Sequence, residues 1–218
     1  FSLIESMTKI KNIIFDLGGV ILNLDYSKTV REFYKIGLIN FEQLYSQKKQ
    51  SKIFDDFEKG KFSAEKFISL IKQSEKLNIK ESDFINAWNA MLLEIPNERL
   101  EFIKKLKKDY NIFLLSNTNE IHIKKFETDL RKNNWLKDFQ NCFDQIYYSS
   151  NMGMRKPDKN CFNKVLEDHN LKAQETLFID DSAQHIEGAK SVGINAVLLK
   201  KEATILQLVP GIIQSKLH

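Results

Sequence analysis

Cysteine is nearly absent from this 218-residue sequence, with Cys142 and Cys161 the only two. They form neither a disulfide framework nor a thiolate metal site nor a redox pair. Both are therefore expected as buried or partly buried free thiols in a reducing compartment. No apolar run approaches the roughly 20 residues of a membrane-spanning helix, so no membrane partner is expected. The first six residues lack the basic start and small-residue cleavage site of a secretory signal. The expected location is cytoplasmic, with Met7 a candidate natural start. Internal repeats and low-complexity tracts are missing as well. Charge does not gather: 33 basic residues against 29 acidic ones leave a net +4. The lysines are scattered along helices and loops without interleaved aromatics, as on a solvated surface, and no nucleic-acid partner is expected.

What is present is enough apolar material for a substantial core, 42% of the residues. The length exceeds one average domain and falls short of two, which fits a core domain carrying a small insertion. The stretch Ile13-Ile14-Phe15-Asp16-Leu17-Gly18-Gly19-Val20-Ile21 organises the rest. Its apolar run predicts a buried parallel strand delivering Asp16 to its C-terminal end, with the glycine pair allowing a tight turn. Residues 20–24 are expected to continue extended.

From Asp25 to Ile95 the spacing turns helical. Gly37 and Gly60 are expected to close helices and Ser63 to cap one. Phe84, Trp88 and Met91 share a helix face that predicts core packing. This block holds no convincing strand and is expected to be a helical cap, residues 25–96, inserted into a core made of residues 1–24 and 97–218. Pro96-Asn97 opens the next helix. Ile112–Leu115, Phe143–Tyr148, Leu177–Ile179 and Ile194–Leu199 follow as strands alternating with helices. That alternation predicts an α/β fold, a three-layer Rossmann-like parallel sheet with helices on both faces.

Strand ends then carry Asp16, Ser116-Asn117 and Asp180-Asp181, with Lys156 near another. Carboxylates facing one site repel unless a cation lies between them, and hard oxygen donors suit Mg²⁺ better than zinc. Lys156 would hold Asp16 and neutralise an anionic substrate, and Ser116 with the N–H groups after it suits a phosphate oxygen. Singly, Ser116 would read as a helix cap, Lys156 as a surface charge and Asp180-Asp181 as a turn. Together, a carboxylate nucleophile, magnesium, lysine and hydroxyl describe phosphoryl transfer through an aspartyl-phosphate.

Asp16-Leu17-Gly18-Gly19-Val20, Ser116-Asn117-Thr118-Asn119, Gly153-Met154-Arg155-Lys156-Pro157 and Asp180-Asp181-Ser182 resemble the four ordered motifs of the haloacid dehalogenase (HAD) superfamily. The pattern is most similar to its sugar-phosphatase branch, in particular the bacterial α-D-glucose-1-phosphate phosphatases. The resemblance implies a Mg²⁺-dependent phosphomonoesterase for a small phosphorylated metabolite. Asp16 would attack phosphorus and ligate the metal, with the Gly18 carbonyl as a second ligand. Ser116 and Asn117 would hold the phosphoryl group, Lys156 would bridge it to Asp16, and Asp181 would ligate magnesium with Asp180 beside it as ligand or support. The sequence departs from that pattern at Gly18, where most such phosphatases carry the Asp that serves as general acid and base. That help is worth roughly a hundred- to ten-thousand-fold. Asp25 is the candidate substitute, while His122 and His185 are weaker ones expected to lie on the surface. The alternatives are a dehalogenase and a catalytically impaired binding protein.

Overall fold

The computed structural model describes residues 9–45 and 51–215; the expectations about Met7 and the first six residues lie outside them. Five strands form one sheet: β1 (Asn12–Phe15), β2 (Asn111–Ser116), β3 (Gln145–Tyr148), β4 (Thr176–Asp180) and β5 (Asn195–Leu198). Their order is β3-β2-β1-β4-β5 and every pairing is parallel. The predicted α/β class holds. All four residues of β1 are buried, as expected of a strand covered on both faces.

The order reverses at β1, which lies between β2 and β4, so the sheet opens a crevice at the carboxyl end of this strand. Register puts the site there. Phe15 pairs with Leu114 on one side and Ile179 on the other, and the Asp16 N–H donates to the Ile179 carbonyl at 2.9 Å. One residue further on, Asp16 and Asp180 emerge as neighbours.

Residues 20–24 do not continue the strand. The N–H groups of Ile21 and Leu22 both return to the Leu17 carbonyl, and Gly19 N–H bonds the Leu22 carbonyl. The chain thus coils tightly before leaving the sheet, and only isolated bridges, Gly18 to Leu22 and Leu24 to Leu92, remain.

Between β1 and β2 come α1 (Tyr26–Lys35), α2 (Phe41–Leu44), α3 (Lys52–Glu58), α4 (Ala64–Ser74) and α5 (Glu81–Asn89), then α6 (Asn97–Leu106). The Ser63 hydroxyl accepts from Lys66 N–H and so caps α4 as expected. The first five helices enclose an aromatic cluster of their own, with Phe33, Phe54, Phe67, Phe84 and Trp88 all at most 1% exposed. Phe57 and Phe67 stack at 4.0 Å, and Phe54 meets Phe67 edge-on at 5.1 Å. Each such ring contributes on the order of 1.5–3 kcal/mol by leaving water.

The rest of the chain adds α7 (Glu120–Lys132), α8 (Leu136–Asn141), α9 (Ser149–Met152), α10 (Lys159–Asp168), α11 (Ala183–Lys190) and α12 (Ile205–Ser215). Cys142 and Cys161 are buried and free. Among the described residues no helix is long and apolar enough to cross a membrane.

Several contacts tie the helical block to the sheet domain, and two of them bear on single residues. Gly60, just past α3, adopts φ +67°, and a Cβ there would lie 2.0 Å from the Ser150 carbonyl oxygen on α9. Only glycine permits that approach. The second contact is His122 on α7, expected on the surface but 7% exposed. Its ring stacks on Trp88 at 4.6 Å. Nε2 lies 3.1 Å from the Trp88 carbonyl and Nδ1 3.3 Å from the Asn119 amide, so Nε2 carries the proton.

Burial lowers the His122 pKa to about 4, and its bond to the Trp88 carbonyl only partly opposes this. Unfolded histidine titrates near 6.5, so between these values the unfolded chain holds a proton that the folded chain refuses. The associated stability is complete above pH 6.5 and is lost as pH falls toward 4, by on the order of 3 kcal/mol. His122→Gln is expected to flatten the acid limb of urea-unfolding free energy across that window. An unchanged limb would assign the loss to other groups.

Candidate active site

Lys156 is the centre of the site, and it is wholly buried. Its Nζ lies 2.7 Å from Asp16 Oδ1 and 2.6 Å from Asp180 Oδ2, with the Phe178 ring 5.3 Å below. A buried ammonium survives only when paired and hydrogen-bonded. Burial works against its charge, but Asp16 and Asp180 outweigh that and hold its pKa above the ordinary lysine value.

The main chain of Lys156 is fixed independently. Asn117, just past β2, accepts the Lys156 N–H at Oδ1 and donates from Nδ2 to the Lys156 carbonyl, both at 2.9 Å. The side chain of Asn117 is therefore spent on positioning the lysine. Ser116 ends β2, 3% exposed, and borders the same crevice.

Asp180 has both oxygens engaged. Oδ2 takes Lys156; Oδ1 accepts Ser182 N–H at 2.8 Å, and His185 Nδ1 lies 3.0 Å away. Burial raises its pKa, but Lys156 and His185 together hold it below the usual carboxylate range. His185, expected on the surface, is 8% exposed because α11 turns it back over Asp180. Its Nε2 faces the Asn117 amide at 3.5 Å.

Asp181 is half-buried and rests against Gly19, where a Cβ would come within 2.4 Å of Oδ2. Here too glycine makes room, for a carboxylate rather than for a turn alone. Asp16, Asp180 and Asp181 offer oxygens within 4.8 Å of one another. Burial raises the Asp16 pKa; Lys156 lowers it, and Asp180 and Asp181 push it up again. Such a cluster disfavours a second anion unless a cation joins it, and its all-oxygen donor set fits Mg²⁺.

A cavity of about 70 Å³ lies over these groups, bounded by Asp16, Gly18, Tyr26, Tyr45, Glu58, Asn117, Arg155, Asp181 and His185, together with Leu24. Burial pushes the Tyr26 hydroxyl upward, with Asp181 and Asp16 adding to it. Asp25 does not border this space. It is the N-cap of α1, accepting Ser27 N–H at 3.0 Å and Ser27 Oγ at 2.6 Å. The sequence reading assigned no role to Glu58, Tyr26, Tyr45 or Arg155. Arg155 lies inside one of the four motifs, but nothing in helical spacing marks Glu58 as facing the sheet domain.

Residues 13–199 match the model of the haloacid dehalogenase-like hydrolases. The D-ribitol-5-phosphate phosphatase of Bacteroides thetaiotaomicron is 32% identical over 186 residues, covering 84% of this chain and 89% of that protein. A HAD family enzyme from the same organism, solved as an Asp-to-Ala variant with magnesium and inorganic phosphate, superposes with a TM-score of 0.84. It is 33% identical, covering 92% of this chain and 98% of that one. A HAD-like hydrolase structure from Porphyromonas gingivalis gives a TM-score of 0.85 at 29% identity, covering 95% and 99%. With the family model spanning most of its length and a relative above 30% identity across most of both chains, this protein belongs to the haloacid dehalogenase-like hydrolases.

Proposed function

We propose that this chain is a magnesium-dependent phosphomonoesterase that transfers the phosphoryl group to Asp16 and acts on a small phosphorylated polyol or sugar. The observation that carries the reading is the buried Lys156 bridging Asp16 and Asp180 beside a three-carboxylate cluster. Names of relatives support the substrate class: one acts on D-ribitol 5-phosphate, another, from Pyrococcus abyssi, on glyceraldehyde 3-phosphate. Glucose 1-phosphate, suggested by the sequence motifs, belongs in the same panel.

In this reading Lys156 fixes the rotation of the Asp16 carboxylate, so that its oxygen meets phosphorus in line. The same ammonium offsets charge on the transferring group. Ser116 and the main chain after it hold the phosphoryl oxygens. Asp180 keeps the lysine in place and leaves metal ligation to Asp16, Asp181 and the Gly18 carbonyl. Bound there, magnesium would neutralise the carboxylates and the charge on the phosphoryl oxygens.

The helical block acts as a cap. The cavity of about 70 Å³ is far smaller than the several hundred Å³ of a typical metabolite site. The cap must therefore swing away to admit substrate and return to exclude water. Asp25, occupied in capping α1, is not the missing proton carrier. Asp25→Ala is expected to lower the urea-unfolding midpoint by removing that cap while leaving turnover unchanged.

A panel of polyol, triose and hexose phosphates, nucleotides and aryl phosphates should release inorganic phosphate with Mg²⁺ and none with EDTA. Asp16→Asn should lower turnover by about 10³-fold or more. Silence across the panel at saturating Mg²⁺ would turn the reading towards a binding protein. The metal assignment has its own measure. Mg²⁺ at a hundred times its Kd should stabilise the protein by about 2.7 kcal/mol, a Tm rise on the order of 5–10 °C. At lower pH protons compete for the raised Asp16 carboxyl and the rise should shrink. Asp181→Asn should abolish it.

A further inference from the structure

We propose that Glu58, supplied by the cap, carries the proton that position 18 cannot, giving it to the leaving oxygen and later taking it from the attacking water. The inference rests on the phosphatase reading. Gly18 has no side chain, and the space where one would start is filled: a Cβ there would lie 2.7 Å from Leu24 Cδ1. Some other group must handle the proton of a poorly leaving alcohol.

Glu58 is the last residue of α3 and is 3% exposed. It borders both the cavity that holds Asp16, Gly18 and Asp181 and the adjoining one of about 50 Å³ that holds Ser116 and Asn117. Both cavities are narrow, and Glu58 shares their walls with the nucleophile Asp16 and with Ser116. Two contacts among the described residues aim the carboxyl group. Arg155 Nε lies 3.0 Å from Oε2, and Tyr45 Oη donates to Oε1 at 3.5 Å. Arg155 also donates to Asp55 Oδ1 at 3.1 Å. The residue preceding the catalytic lysine thus grips α3 by two carboxylates, and the close seat of Gly60 on Ser150 completes the docking.

Other groups on these walls are unsuited. The hydroxyls of Tyr26 and Tyr45 are pushed up by burial, and the Arg155 guanidinium keeps its protons. His185 gives Nδ1–H to Asp180 and turns Nε2 to the Asn117 amide. His122 has both nitrogens engaged. Asp181 belongs to the cation. Glu58 remains.

In the substrate complex the cycle starts from Glu58 protonated. An Asp16 oxygen forms a bond to phosphorus, the bond from phosphorus to the leaving oxygen breaks, and that oxygen keeps the electron pair and takes the proton of the Glu58 carboxylic acid. Water then attacks the phosphorus, the Glu58 carboxylate takes its proton, and the bond to Asp16 breaks. Phosphate is released, and Asp16 and Glu58 return to their starting states.

The test uses wild type and Glu58→Gln with substituted phenyl phosphates in saturating Mg²⁺, reading first-turnover phenol release by rapid mixing. Phenyl phosphate expels a phenol with pKa about 10 and needs the proton. Its first turnover should fall about 10²- to 10⁴-fold, whereas p-nitrophenyl phosphate, with a far more acidic leaving phenol, should stay within about tenfold. On that ester the variant should stall after one equivalent of nitrophenol, with phosphate trapped on Asp16 and visible in the mass of acid-quenched protein. Glu58→Asp, which keeps the acid, should recover part of the phenyl phosphate rate. Comparing two esters on one sample cancels any inactive fraction. Equal loss on both, or sustained wild-type turnover of the p-nitrophenyl ester, overturns the role of Glu58 alone. No phosphate release by wild type from any ester or sugar phosphate removes the phosphatase reading and this inference together.

Discussion

A fully buried ammonium between two carboxylates is the constraint on which the rest of the site depends. Removing the lysine would leave two carboxylates facing each other in the core without their shared partner, at a cost of several kcal/mol. Asp16 and Asp180 sit at the ends of adjacent parallel strands whose register is flush, so the sheet itself sets the gap that Lys156 fills. Asn117 grips the lysine from the next strand over, using both polarities of one amide on both polarities of one peptide. Three strands and one loop are thereby locked before any metal or substrate arrives. Preorganisation of this kind lets fixed charges act on a developing phosphoryl charge without rearranging.

Against that rigid floor, the helical block is a separately packed body. Among the described residues its buried cluster draws almost entirely on residues 33–91, with Ile121 the single buried contribution from the sheet domain. It can therefore move as a unit without disturbing its own interior. Its docking contacts are of a different kind: the charge pairs of Arg155 with Asp55 and Glu58, the stacking of Trp88 on His122, and one glycine. Polar contacts between bodies are exchanged for water at modest cost, which suits the opening proposed for this block.

Much of this was legible in the sequence, and for definite reasons. β1 and β4 are covered on both faces, so their apolar runs are unbroken and their closing aspartates stand out. Ser63 and Gly60 fell where capping chemistry puts them, because those signals are local. Residues 20–24 misled because β-branched residues also suit a tight coil when the preceding glycines allow it. His122 and His185 were misjudged because their burial comes from the cap and from α11 folding back, contacts far away in sequence. The same holds for Glu58 and Arg155, which lie 97 positions apart (155 − 58) and meet only once the cap has docked. Local chemistry writes elements into a sequence; the meeting of two bodies is not written in either one.

The close seat of Gly60 carries a consequence for how the protein varies. Position 60 lies outside both hydrophobic interiors, yet a single added methyl would collide with a peptide oxygen. Any bulkier residue there would act as a shim, leaving the fold sound but the lid ajar and the reaction chamber wet. Selection at that site would be felt through leakage of water rather than through stability.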